Sequence, residues 1–243
     1  MKEKLTIVKV GGAVVEDDAQ LGALLSSFSQ IEGHRLLVHG GGRRATSVAS
    51  QLGIETRMVE GRRITDAEML QVVTMVYGGL VNKHIVALLS SMGMPAMGLT
   101  GADGNAVLAT RRAPLNGIDY GFVGDVRTVN AALLKALIGS GLVPVMAPLT
   151  CDGQGHLLNT NADTIASEVA KAMARLFDVT LIYAFEKPGV LKDGNDDSSL
   201  IAHIDSRTFA RYRAEGVVSG GMVPKIENAL HAVEAGVESV LIT

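Results

Sequence analysis

Lys9-Val-Gly-Gly12 ends an apolar run near the start of the chain, and a lysine beside two glycines suits the binding of a transferable phosphate. Lacking a Cβ, Gly11 and Gly12 let backbone N–H groups approach an anion closely, and concave arrays of such amides hold phosphate oxygens. A second cluster, His39-Gly-Gly-Gly-Arg-Arg44, follows the short apolar run Arg35 to Val38 and precedes a helix-like stretch to Leu52. The free N–H groups and partial positive charge of a helix start, with Arg43 and Arg44 added, favour anions there as well. Taken alone, Lys9 and its glycines have a plainer alternative, a surface lysine followed by a turn. The chain contains neither Gly-Lys-Ser/Thr nor G-x-G-x-x-G, which argues against a P-loop or a Rossmann dinucleotide site.

Two later segments add polar groups. Asn159-Thr-Asn-Ala-Asp163 precedes an amphipathic helix to about Arg175, with Asn161 as N-cap and Asp163 in the first turn, each worth roughly 0.3–1 kcal/mol to the helix. Two asparagines and an aspartate in this short stretch exceed what a cap requires. Ser219-Gly-Gly-Met-Val-Pro-Lys225 again joins glycines to a lysine and opens a helix over Ile226 to Ala235, although a solvated lysine after a turn is the simpler reading of that segment alone. Lys9, Lys225, two glycine-rich anion cradles and Asp163, able to orient both ammonium groups, together suit phosphoryl transfer, which works by positioning and charge neutralisation. The six histidines are dispersed without metal-ligand spacing and read as ordinary surface or core residues. The single cysteine, Cys151, reads as a loop residue.

The elements that must position these groups follow from apolar periodicity. Leu5 to Val10, Arg35 to Val38, Val143 to Ala147, Val179 to Tyr183 and Val237 to Ile242 read as strands alternating with helical patterns, the signature of a mostly parallel sheet covered by helices. Such a sheet binds ligands at the carboxyl ends of its strands, where Lys9 would emerge. Thr65 with Glu68 reads as a capping box opening a long helix to about Met92, apolar on several sides and so covered either within the monomer or by a dimer partner. Between Gly98 and Val126 short alternating runs broken by Gly, Asn and Asp suggest hairpins forming a small flap. With 243 residues, 47% hydrophobic and 19% charged, the chain can bury roughly 70 to 75% of its unfolded surface. A net charge of −3 gives no electrostatic case for nucleic acid. The lone cysteine and the short apolar start fit a reducing, cytoplasmic setting, and the apolar stretches Ile85 to Ala102 and Ala136 to Cys151 read as core rather than membrane spans.

Eight motifs then fall in one order and spacing: Lys9-Val-Gly-Gly12, His39-Gly-Gly-Gly42, Glu60-Gly-Arg-Arg-Ile-Thr-Asp66, Val81-Asn-Lys83, Gly98-Leu-Thr-Gly-Ala-Asp-Gly104, Gly121-Phe-Val-Gly124, Asn159-Thr-Asn-Ala-Asp163 and Gly220-Gly-Met-Val-Pro-Lys225. In these the chain resembles the amino acid kinases over essentially its whole length. The resemblance implies a three-layer α/β/α sandwich around a mostly parallel sheet, with a β-hairpin flap over the substrate. It implies one domain, with an amino-acid-substrate lobe over about 1–175 and a nucleotide lobe over about 176–243.

The activity implied is ATP-dependent phosphorylation of the γ-carboxylate of an N-acylated glutamate, on the route to arginine, with Mg²⁺ arriving with ATP, no protein-held metal, and a homodimer as the assembly. By the same resemblance Lys9, Lys225 and Asp163 are catalytic, and Gly41, Gly42, Arg63 and Asn159 bind the substrate, Arg63 at its α-carboxylate. Gly11, Gly12, Glu186, Gly189, Leu191, Gly220, Gly221 and Met222 bind the nucleotide. Phe185-Glu-Lys-Pro-Gly189 stands where many relatives carry Thr-Asp-Val, and the chain stops at Thr243, before the closing Gly-Thr segment usual in the family. The chain begins at its first strand, so feedback inhibition by arginine is not expected. A sister kinase with another acceptor, or a nucleotide-binding sensor on the same scaffold, is the alternative to this reading.

Overall fold

The computed structural model of the chain describes residues 2–59, 61–220 and 222–243. Its amino-terminal half runs β1 (Lys4–Val10), α1 (Gly12–Glu16), α2 (Asp18–Ser29), β2 (His34–His39), α3 (Gly42–Gln51), β3 (Met58–Val59), β4 (Arg62–Arg63), α4 (Ala67–Val73), a π-helical segment Thr74–Val81, α5 (Asn82–Ser91) and β5 (Ala96–Leu99). There follow β6 (Val107–Arg111), β7 (Gly124–Val129), α6 (Ala131–Gly139), β8 (Val143–Met146), β9 (Leu149–Cys151) and β10 (Leu157–Asn159). The chain ends with α7 (Ala162–Met173), β11 (Asp178–Ala184), α8 (Ser206–Ala214), α9 (Met222–Glu234) and β12 (Ser239–Ile242).

Six strands form one parallel sheet in the order β12-β11-β1-β2-β8-β5. Alternation along β1 divides the core: Leu5 and Ile7 join the cluster containing Leu134, Ile165, Val169 and Ala232 from α6, α7 and α9, while Val8 and Val10 join that of Leu21, Leu25, Ala45, Val72 and Ile85 from α2, α3, α4 and α5. The result is the expected three-layer sandwich. The same parity sends Lys9 to the side of Leu5 and Ile7, beside α7. Its register partner Tyr183 on β11 belongs to that face too.

Several sequence expectations shift. The cap of α4 is Asp66, whose side chain accepts from Met69 N, rather than Thr65. Thr65 is fully buried, where its backbone bonds Tyr120 and Phe122 and its hydroxyl receives Asn159 Nδ2, so it is spent before the helix begins. The long helix does run continuously over Ala67–Ser91, but its middle widens to π geometry at the Gly78-Gly79 pair. There Gly78 faces Leu149 and Thr100, which a Cβ would meet at ordinary contact distances of 3.5 and 3.7 Å. This span has the length and hydropathy of a membrane helix, yet Met69, Val72, Val73, Val76, Ile85 and Leu89 bury one side of it in the core. Ala96–Leu99 extends the main sheet in parallel with β8, so the hairpin region begins only after it. There β6 and β7 pair antiparallel and join β9 and β10 in a second, four-stranded sheet, larger than a lone flap. Cys151 lies buried in β9, not in a loop, with Sγ 3.5 Å from Gly101 O. Helix α9 starts at Met222 rather than Ile226, since a proline in a first helical turn forgoes an N–H that has no partner there.

Candidate active site

Lys9 leaves β1 at its carboxyl end with only 8% of its surface exposed, on the face covered by α7. The N-terminus of α7 is fixed by Asn161, whose side chain accepts from the N–H groups of Asp163 and Thr164 at 2.8 and 3.1 Å. That cap turns the Asp163 carboxylate toward the sheet. Its Oδ1 stands 2.8 Å from Lys9 Nζ, and its Oδ2 accepts from Lys225 Nζ at 3.0 Å. The contact with Lys9 is a close ion pair. Lys225, from the first turn of α9, also lies 5.1 Å from the centre of the Tyr183 ring and 5.7 Å from that of Phe185, within cation–π range of both. Tyr183 OH donates in turn to Asp163 O at 3.3 Å.

The electrostatics follow from burial and pairing. Burial by itself would raise the Asp163 carboxyl, but Lys9 and Lys225 outweigh it and hold the group below the ordinary aspartate value. Burial pushes the Lys225 ammonium down; Asp163 pulls it back up, Lys9 pushes it further down, and the net is a lowered value. Burial and the neighbouring Asp163 charge raise the Tyr183 hydroxyl, which stays neutral.

The two glycine turns meet backbone to backbone. Gly40 N donates to Val10 O and Gly11 N to Ala184 O, each at 2.9 Å, tying both turns to the ends of β1 and β11. A Cβ on Gly12 would sit 3.7 and 3.8 Å from the amide nitrogens of Gly41 and Gly42, and a Cβ on Gly40 would lie 3.1 Å from Gly12 N. At Gly41, φ is 156° and a side chain would strike the Tyr77 ring at 3.1 Å, so only glycine fits. Gly42 opens α3, whose first-turn N–H groups lack helical partners.

Arg63, on β4 and 8% exposed, crosses to this second turn: Nη2 donates to Gly42 O and Thr46 Oγ1, both at 2.8 Å. Nη1 approaches Thr56 Oγ1 at 3.3 Å and Met69 Sδ at 3.7 Å. Among the described residues this buried guanidinium has no carboxylate partner, an arrangement suited to an incoming anion. Asn159 closes β10 and donates to Thr65 Oγ1 at 2.9 Å, two residues along the chain from Arg63.

Lys9, Asp163 and Lys225 are thus brought into one cluster, with Gly11, Gly12, Gly41 and Gly42 beside Lys9 and with Arg63 behind Gly42. On the far side, Glu186 reaches Arg43 at 3.6 Å in an exposed pair that links the loop after β11 to the first turn of α3. Gly189 has φ 148° and packs against Leu200 and Ile242 O, and Leu191 bridges Leu200, so both serve the folding of that loop. Gly220, at φ 56°, and Met222 lead into α9 and hence to Lys225. Gly221 and Glu60 lie outside the described residues. Tyr77, Thr46 and Tyr183, which support Gly41, Arg63 and Lys225, carry no motif of their own.

The model of the amino acid kinase family matches residues 4–243. A protein called acetylglutamate kinase from Bacteroides fragilis is 63% identical over 243 residues, covering 100% of this chain and 93% of the relative. One of the same name from Phocaeicola vulgatus is also 63% identical, covering 100% of this chain and 94% of its own. Among solved structures, a protein of Streptococcus mutans UA159 superposes with a TM-score of 0.80 at 28% identity, over 98% of this chain and 94% of the other.

Proposed function

The chain belongs to the amino acid kinase family, and from that premise we propose that it transfers the γ-phosphoryl group of ATP to the γ-carboxylate of N-acetyl-L-glutamate, an early step of arginine biosynthesis. The observation that carries the reading is the seating of Lys9 and Lys225 on one carboxylate, Asp163, beside the facing turns of Gly12 and Gly41.

A glutamate side-chain carboxyl, with an ordinary pKa near 4.3, is already ionised at neutral pH and needs no base to become a nucleophile. The site accordingly offers none: His39 points at Gly40 and Asn82, and Asp163 is committed to two lysines. The obstacle is repulsion between two anions, about 4 kcal/mol per unit pair at 4 Å and an effective dielectric of 20. Lys9 and the amides of Gly11, Gly12, Gly41 and Gly42 stabilise the transferring phosphoryl group, and Lys225 stabilises the departing ADP. Asp163 acts as a positioning residue that keeps both ammonium groups charged and in place. Arg63 grips the α-carboxylate of the acyl amino acid, with Asn159 beside it. The nucleotide lies over the segment 176–243, and the amino acid over 1–175.

ATP enters as its Mg²⁺ complex. Both Asp163 oxygens face lysines, and Mg²⁺ would be held by the phosphates of ATP and by water, adding positive charge to the transferring group. The reading also carries a homodimer in the cytoplasm. Met75 and Leu80 are exposed on the long helical span and would pair between copies.

Incubation with ATP, Mg²⁺, N-acetyl-L-glutamate and hydroxylamine tests the reaction, because hydroxylamine traps an acyl phosphate as a hydroxamate. Repeating it with other acyl groups, succinyl included, fixes the acceptor. No trapped product with any N-acylglutamate would defeat the proposal.

A further inference from the structure

His39 is fully buried at the end of β2, immediately before the Gly40–Gly42 turn, and burial holds its pKa at about 4, so the ring is neutral at physiological pH. Its Nδ1 lies 2.7 Å from Gly40 O and its Nε2 lies 3.1 Å from Asn82 Nδ2. The same Asn82 nitrogen donates to Val145 O at 2.9 Å, and only the amide nitrogen can serve a carbonyl, which fixes the orientation of the Asn82 side chain. Facing an N–H, His39 Nε2 must accept. The one proton of the neutral ring is therefore on Nδ1, donated to Gly40 O.

Asn82 reaches this position at a cost. Its Oδ1 is buried with no hydrogen-bond partner among the described residues, and it lies so near Gly98 that a Cβ there would overlap it at 1.8 Å. It stands where the π-helical segment hands over to α5, and the same segment brings Tyr77 against Gly41. A chain that keeps an orphaned carbonyl in its core at such a junction has a use for the other end of that amide.

We propose that His39 and Asn82 are positioning residues for the transfer: the His39 Nδ1–H holds the Gly40 carbonyl, so that the amide of Gly41 faces the Lys9–Gly12 turn, and Asn82 keeps the proton on Nδ1. A trans peptide is planar, with its N–H opposite its C=O. Tying Gly40 O to the ring therefore turns Gly41 N–H away from the ring. Consistent with that, Gly41 N lies within 3.7 Å of the point a Gly12 Cβ would occupy. Freed from the ring, this glycine-rich peptide could rotate and withdraw a donor from the transferring group. The inference rests on the proposed role of the Gly41 amide.

Two variants separate the contacts. His39→Asn keeps an N–H at the place of Nδ1, within reach of Gly40 O, and His39→Gln keeps an acceptor for Asn82 while losing the Gly40 bond. Melting curves establish that both fold, and kinetics with ATP and the acyl amino acid follow. His39→Asn is expected within about threefold of wild-type kcat, and His39→Gln about tenfold or more below it, with KM values moving less, since loss of one aligned amide donor acts on the transition state. Equal kcat values for the two variants, with an active wild type, would overturn the inference and leave the function standing. A wild type with no turnover sinks the function instead. Independently of activity, long-range ¹H–¹⁵N NMR of the wild type should show His39 protonated on Nδ1 alone; a proton on Nε2 would refute the pair.

Discussion

Asp163→Asn keeps the shape of the side chain that joins the two lysines and removes its charge. At an effective dielectric of 20 the carboxylate attracts Lys9 at 2.8 Å by about 6 kcal/mol and Lys225 at 3.0 Å by about 5.5 kcal/mol, gross values that desolvation of three charges largely offsets. What remains measurable is the cost of leaving two buried ammonium groups facing an amide, about 3–5 kcal/mol. Loss of a negative charge from the first turn of α7 adds roughly 0.3–1 kcal/mol. Urea denaturation of the nucleotide-free protein at neutral pH should therefore show the variant less stable by about 3–6 kcal/mol.

The pH dependence has a definite sign. The folded-state value of Asp163 lies below the ordinary 3.8, so its contribution is complete above pH 3.8 and disappears as pH falls through the lower folded value. Lys225 has a folded value below 10.5, so its burial penalty fades as pH rises toward 10.5, and it fades from a larger penalty once Asp163 no longer supports the charge. The gap between variant and wild type should be widest near neutrality and narrow on both sides. ADP, bringing phosphate charge to the orphaned lysines, should restore part of it. A variant within about 0.5 kcal/mol of wild type across that range would refute the account of Asp163 as the group that permits two buried cations.

Arg63→Ala should raise KM for the acyl amino acid roughly 10- to 100-fold, the worth of a charge-assisted contact with its α-carboxylate, while KM for ATP stays near its wild-type value; an unchanged acceptor KM in steady-state kinetics would remove Arg63 from substrate binding. Gly98→Ala should cost about 1–3 kcal/mol of stability by thermal or urea denaturation, because the new methyl group collides with the Asn82 carboxamide, and a silent substitution would mean that Asn82 is free to move aside.

The sheet was legible because β1 is explicit: Leu5-Thr-Ile-Val-Lys-Val is a short, β-branched apolar run, and it brings Lys9 to the carboxyl end of a strand. Asn161 as the cap of α7 was equally readable, since an asparagine before an amphipathic run has one local use. Features decided by partners far along the chain were not. Thr65 looks like a cap in isolation, but Asn159, 94 residues later, and Tyr120 already occupy it, and the cap passes to Asp66. Ala96-Met-Gly-Leu99 is too short and too glycine-poisoned to read as a strand, and its Gly98 is explained only by the arrival of Asn82. His39 looked like any other histidine. The available signal was Asn82, a polar residue three and seven positions before Ile85 and Leu89 on the buried side of a helix, which asks for a partner. The loop after β11 is held by contacts such as Arg43 with Glu186 and Gly189 with Leu200, which join segments no local pattern connects.

The central claim is that fixed positive charge at the end of β1 lowers the barrier to transfer rather than merely tethering the nucleotide. Lys9→Ala, assayed for hydroxamate formation and, by calorimetry, for affinity toward ADP, tests it most directly. The account predicts turnover reduced by about 10²-fold or more with ADP affinity changed by less than about tenfold. Turnover equal to that of the wild type would contradict it.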